Sequence, residues 1–417
     1  MFNLSRRHLL ALGAGGLLYP RRARASAGTD RKFLFVFCPG GWDPTAVFVP
    51  VFNAGIDHFE GDSLESFGDL RLVGNPNRPS VSAFFSRWAS QTCVVNGFQV
   101  PSVAHDVATR WTLTGASVDG LEDWASIVAG NSVAERVLPN VHVSGPIFPG
   151  RYGDASVRVG LNGQFSRLLD GTVLLENATP LPPVSVAREA REEAWVRARM
   201  ARWGEKAAAG QASRLAAAEQ LALERTASLT DVSDTFAVAD STLYGTASVI
   251  VRALSLGTSR SGVVAFGSGN NGDWDTHSGN DLQIELFGQV FSALDQLLQD
   301  MDSLPGESAP TLLEETTVVV LSEMGRTPLR NAASGKDHWT WTSMMFIGSG
   351  VAGGRSIGGW TDAMIGQNVD LATGEVDGNG QRMLPAHIGA TVLALADIDP
   401  AEFIDPAVGT VIEGVLA

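Results

Sequence analysis

Cysteine is nearly absent. The 417 residues hold two, Cys38 and Cys93, too few for a scaffold stapled by several disulfides. Cys38 ends the apolar run 32–38 and Cys93 opens the run 93–95. If both runs are parallel strands, the thiols lie at opposite ends, roughly 10–15 Å apart at 3.3 Å per residue. A disulfide needs Cα atoms closer than about 7 Å, so two unpaired, buried thiols are expected. Positive charge is also in deficit. Thirty Lys and Arg face 45 Asp and Glu, for a net charge of −15, which disfavours non-specific nucleic-acid binding. No internal run approaches the ~18 apolar residues of a membrane helix, so no transmembrane anchor is expected in the mature chain. No 20–50-residue period is present, which excludes solenoids and propellers.

Several motifs are missing too. The chain has no G-x-x-x-x-G-K-[ST], no H-E-x-x-H, no C-x-x-C and no G-x-S-x-G. P-loop, zincin, thioredoxin-like and hydrolase-elbow chemistry therefore lose their usual support. Gly267–Gly272 fits G-x-G-x-x-G formally, but Asp-Trp-Asp-Thr-His follows where a dinucleotide site needs the apolar start of a helix.

What is present suffices for a large core: 44% of residues are hydrophobic and 18% charged, which argues against disorder. At the N-terminus, Arg6 and Arg7 precede a weakly apolar stretch, Leu9–Leu18. Arg21, Arg22 and Arg24 follow, then a small-x-small cleavage site at Ala25-Ser26-Ala27. Residues 1–27 resemble a twin-arginine signal. The expectation is export, already folded, through the twin-arginine machinery to the periplasm or beyond, leaving residues 28–417 as a single domain.

Short apolar runs at 33–38, 93–96, 262–266, 316–321 and 343–347 read as buried strands, with a weaker one at 137–143 demoted by Pro139. Helical patterns at 79–89, 106–113, 237–256, 281–301 and 384–395 alternate with them. The order implies an α/β fold, a mostly parallel sheet with helices on both faces. Residues 183–225, rich in Arg, Glu and Ala, read as a peripheral helical insertion.

Acids and histidines gather beside the strand ends, where open α/β sheets bind ligands. The run 33–38 leads into Gly40-Gly41-Trp42-Asp43 and the run 262–266 into Asp273-Trp274-Asp275-Thr276-His277. The run 316–321 leads into Ser322-Glu323-Met324-Gly325-Arg326-Thr327, and Gly335-Lys336-Asp337-His338 precedes the run 343–347. Carboxylate with imidazole is a ligand set for zinc and related divalent ions. His58, His142 and His387 lack such company and read as structural. Trp42, Trp274 and Trp339 adjoin the clusters and are expected to wall a pocket.

These clusters, with the Gly-rich stretch 348–355, resemble domain-of-unknown-function family 1501, exported proteins of the alkaline phosphatase/sulfatase-like superfamily. The resemblance spans most of residues 31–400, except the insertion. It implies an alkaline-phosphatase-like three-layer sandwich and a site for one or two divalent ions, typically zinc, at the carboxyl ends of the strands. The implied ligands are Asp43, His277 with Asp273 or Asp275, Glu323 and His338. Met324 stands where the superfamily has a histidine. Its Ser or Thr nucleophile is replaced by His105, in the segment Ala104–Gly115. His105 is expected as a metal ligand in place of the imidazole lost at Met324, or as nucleophile or base. Arg326 or Lys336 would hold a small anionic substrate. The implied activity is metal-dependent hydrolysis of a phosphate or sulfate ester. The alternative is a non-catalytic exported protein that retains the fold.

Overall fold

The protein is described by a computed structural model, covering residues 30–161, 165–166, 169, 186–206, 229, 232–267 and 273–417. Its strands are β1 (Lys32–Phe37), β2 (Ser63–Phe67), β3 (Leu70–Gly74), β4 (Thr92–Gln99), β5 (Asn140–His142), β6 (Ser156–Arg158), β7 (Ser261–Ala265), β8 (Thr316–Leu321), β9 (Gly325–Arg326), β10 (His338–Trp339), β11 (Trp341–Gly348) and β12 (Arg355–Ile357). Its helices are α1 (Pro79–Trp88), α2 (His105–Thr114), α3 (Trp124–Gly130), α4 (Val186–Lys206), α5 (Leu243–Ser255), α6 (Leu282–Ser303) and α7 (Pro385–Leu395).

Eight strands form one sheet in the order β12-β4-β11-β8-β1-β7-β5-β6. The apolar runs form strands because both faces of each are covered. In β1, Leu34 and Val36 point into one core with α1, α5 and α6. Phe33, Phe35 and Phe37 point into the other with α2, α3 and α7, as the two-residue period of a strand requires. The result is the three-layer α/β/α sandwich that the resemblance implies.

One strand departs from the parallel pattern. β11 runs antiparallel to both β4 and β8, whereas β1 is parallel to β7 and β8. This reversal matters for the site. The loops after β1, β4, β7 and β8 emerge at one end of the sheet, and the segment before β11 starts there too. His338, which precedes its strand, thereby joins residues that follow theirs.

Pro139 does shorten its strand, which begins at Asn140. Cys38 and Cys93 are free and buried. Within the expected insertion, Val186–Lys206 is a 21-residue helix, and residues 207–225 lie outside the described residues. So does the signal-like segment 1–27. Among the described residues no helix is long and apolar enough to cross a membrane.

The sheet is tied at its opposite end by a buried ion pair. Lys32 Nζ, at the start of β1, lies 2.5 Å from Glu315 Oε1, just before β8. Burial pushes the Glu315 carboxyl up. Donation from the Glu307 backbone, the Lys32 ammonium and Ser308 outweighs it and holds the group down to about 2. A depressed folded pKa stabilises the protein above the unfolded value, near 4.5. That stability is lost as the pH falls through about 2. The urea midpoint should therefore drop between pH 5 and pH 2, and Glu315→Gln should be weaker at pH 7 with a flatter acid limb. Parallel acid limbs for both proteins would refute this assignment.

Candidate metal centre

The loops that meet at this end are pressed backbone to backbone, and glycine permits it. Gly40 (φ +117°) and Gly41 (φ +79°) adopt left-handed conformations. A Cβ on Gly40 would sit 2.8 Å from the Asp275 nitrogen, and one on Gly41 2.8 Å from Met324 Cγ. The Gly40 N–H donates to Glu323 Oε1 at 2.7 Å.

Three imidazoles converge on one carboxylate there. His277 Nε2 and His338 Nε2 each lie 3.1 Å from Asp275 Oδ1 and 3.0 Å from one another. His105 Nε2, from the first turn of α2, lies 3.3 Å from Asp275 Oδ2. The His338 ring stacks edge-on against His105, with centroids 4.4 Å apart, and tilts against His277 at 4.5 Å.

The far nitrogens fix the tautomers. His338 Nδ1 is 2.6 Å from the Val103 carbonyl, which can only accept. His277 Nδ1 is 3.0 Å from Asp337 Oδ1, and the hydrogen bond from His277 helps hold Asp337 below the usual carboxylate range. His105 Nδ1 is 2.8 Å from Glu323 Oε1. Each Nδ1 therefore carries a proton and donates behind its ring, and each ring turns its Nε2 towards Asp275. The Glu323 hydrogen bond raises the His105 pKa, against the opposing effect of burial. Burial pushes the Asp275 carboxyl up, but hydrogen bonds from Arg326 and His338 outweigh it and bring it to about 2.

This donor set fits a divalent ion. Lone pairs 3.0–3.3 Å apart repel unless a proton or cation lies between them, and ligands of a tetrahedral zinc at 2.0–2.1 Å stand about 3.3 Å apart. Among the described residues His105 Nε2 is buried without a hydrogen-bond partner. The ligand atoms of His105, Asp275 and His338 all lie within 4.8 Å of one another, and His277 stands outside that group, beside Asp275 and His338. Imidazoles oriented from behind by carboxylate or carbonyl are the usual support of such a centre.

Other residues that the sequence suggests stand elsewhere. Asp43 is not a member of the group: its buried carboxylate is filled by Thr45, Asn280 and Lys336. Glu323 lies one step back, behind His105. Asp273 accepts from the Asp275 N–H and supports the turn, so Asp275 is the acid that faces the imidazoles. Arg326 is wholly buried. It donates to the carbonyls of Gly40, Gly41 and Lys336 and to Asp275 Oδ1. Lys336 Nζ is equally engaged. Both cations are fully buried, so neither faces solvent as an anion clamp. Trp42 and Trp274 do not wall the site but pack with Phe48 and Phe287 in the core. His142 is buried and pushed down to about 4 by that burial.

Three contributors escaped the sequence reading. The Val103 carbonyl is a backbone atom and carries no residue-type signal. Asn331 donates to the His277 carbonyl and to Asp337. Gln283, buried in the first turn of α6, binds the Asp43 N–H and donates to Gly41, Trp274 and Thr276. Its signal was legible: it sits three, four and seven residues before Leu286, Phe287 and Val290, on the apolar stripe.

Fold and cluster together define a three-layer α/β/α protein with a histidine–carboxylate cluster at one end of its sheet. Within that class, the chain belongs to the family described as protein of unknown function (DUF1501), which matches residues 30–412. No curated protein sequence matches it at a significant level. Among solved structures it is similar to the lipoteichoic acid synthase LtaP of Listeria monocytogenes. That match has 9% identity and a TM-score of 0.41, and covers 97% of this chain and 81% of that one. It is also similar to a protein in the alkaline phosphatase superfamily from Vibrio parahaemolyticus. Here identity is 11% and the TM-score 0.37, over 100% of this chain and 80% of that one.

Proposed function

We propose that this protein is an exported, metal-dependent hydrolase of a phosphate or sulfate ester or a related small anion. The observation that carries the reading is the convergence of three Nε2 atoms on Asp275, with His105 Nε2 buried and without a hydrogen-bond partner among the described residues. His105, Asp275, His277 and His338 would hold the ion. A divalent ion there supplies Lewis acidity, polarising an ester oxygen and acidifying water. The chain's own residues orient and tune. Glu323 keeps the His105 proton on Nδ1 and makes the ring more basic, and Asp337 does the same positional work for His277. His277 is half-exposed, so it is the imidazole a solvent-borne substrate meets first. Arg326 sets Asp275 rather than binding substrate. Residues 1–27 would direct export and be removed, and a change of Arg6 and Arg7 to Lys would hold the precursor in the cytoplasm.

A second reading rests on a specific observation. His105 stands where the superfamily nucleophile is expected, and both Arg326 and Lys336 are engaged internally. These features suit a protein that keeps the centre for binding or stability without turnover. The test is hydrolysis of p-nitrophenyl phosphate and p-nitrophenyl sulfate by zinc-loaded protein and by protein stripped with a chelator. Turnover that disappears on stripping and returns with zinc supports the hydrolase. Stoichiometric zinc without turnover of either ester replaces it by the non-catalytic reading.

A further inference from the structure

Beside the histidine cluster lies a second charged group with a different character. Asp43 and Lys336 are both fully buried. The Lys336 ammonium donates to the Thr45 hydroxyl and the Asp57 carbonyl and pairs with Asp43 Oδ2, each at 2.9 Å. Asp43 Oδ2 also accepts from Asn280 at 2.7 Å. Asp43 Oδ1 takes the Thr45 N–H at 3.0 Å and the Thr45 O–H at 2.8 Å. Three hydrogen bonds and the ammonium thus surround the carboxylate, which has about four lone-pair sites. A buried carboxylate needs a compensating charge, and here the chain supplies it covalently. An ion that sought Asp43 would have to break the ion pair, expel the ammonium from two hydrogen bonds and then face its charge at short range.

We infer that the site takes one divalent ion, held by His105, Asp275, His277 and His338, and that the Lys336 ammonium fills the place of a second cation at Asp43. The inference rests on the metal reading above and concerns the number of ions. Its chemical consequence is that one ester oxygen can be polarised, whereas a two-ion site clamps both the attacking and the leaving oxygen.

The test counts ions. Full-length protein, stripped by a chelator, is titrated with Zn²⁺ and followed by native mass spectrometry and calorimetry. One equivalent is expected. The double variant Asp43→Asn/Lys336→Met removes both charges together, so no uncompensated carboxylate is left buried. The segment that carries His338 keeps its backbone ties. Lys336 N–H donates to the Thr276 carbonyl, the Lys336 carbonyl accepts from Arg326, and Asp337 N–H donates to Thr327, each at 3.0 Å. The double variant should therefore still bind one zinc, with a Kd within about threefold of the parent, against the 10–100-fold cost of losing a supporting residue. Two tightly bound equivalents in the parent overturn this inference and leave the metal reading standing. So does a loss of zinc affinity of tenfold or more in the folded double variant. No bound zinc in the parent overturns both.

Discussion

Asp275→Ala should lower zinc affinity by ~100-fold or more, while Asp273→Ala should change it only a few-fold. The first figure follows from sharing the ~10–16 kcal/mol of a four-ligand zinc site among its ligands, about 3 kcal/mol each. Asp275 carries more than a single share, since it is the one carboxylate that all three imidazoles face. Asp273 touches the site only through the Asp275 N–H, and its loss loosens a turn. The pair of variants therefore separates two aspartates two residues apart that precede the same histidine. Competition with a chelating dye gives both affinities. Thermal stability should follow the same order in the presence of zinc, because an ion that binds only the native state raises its stability by mass action. Equal losses for both variants, or none for Asp275→Ala, would remove Asp275 from the centre.

Much of the sheet was legible because buried parallel strands are continuous apolar runs, and Lys32–Phe37 and Thr316–Leu321 are nearly unbroken ones. The direction of β11 was not. Its apolar run reads the same in either sense, and only its pairing with β4 and β8 reveals the reversal. The site shows a similar division. Acids and histidines after strand ends marked the loops that converge at one end of the sheet, and the glycines at 40 and 41 marked a close approach. Which way each side chain turns lay beyond reach. Asp43 and Asp275 look alike as residues after a strand, yet one meets a lysine from a distant segment and the other meets three imidazoles. The difference is made by Lys336, which reads as a surface cation until the fold buries it against Thr45 and Asp57. Glu323 also looked like a ligand by type. The Gly40 N–H and the His105 ring reach its Oε1 first.

Arg326 offers the sharpest contrast between a residue read by type and one read by its surroundings. An arginine beside a candidate hydrolytic site suggests an anion clamp, and an anion clamp must present N–H groups to solvent. Here the guanidinium is wholly buried. Nε donates to the Gly41 carbonyl at 2.8 Å and Nη1 to the Lys336 carbonyl at 3.0 Å. Nη2 serves the Gly40 carbonyl and Asp275 Oδ1. One planar fork thus ties the loop after β1, the loop after β7 and the segment before β11. Arg326→Met should cost about 3–5 kcal/mol, because it strands buried acceptors and deprives Asp275 of its cation. Arg326→Lys should recover little of this, since a point charge on a flexible stem cannot reach acceptors spread around a fork. Both variants should lose zinc affinity together with stability, as Asp275 and the glycine turn shift. An anion clamp predicts the opposite pattern for Arg326→Lys: an unchanged urea midpoint and zinc affinity, with a raised KM alone. Urea unfolding of the stripped proteins, with zinc titration of the folded ones, decides between the two.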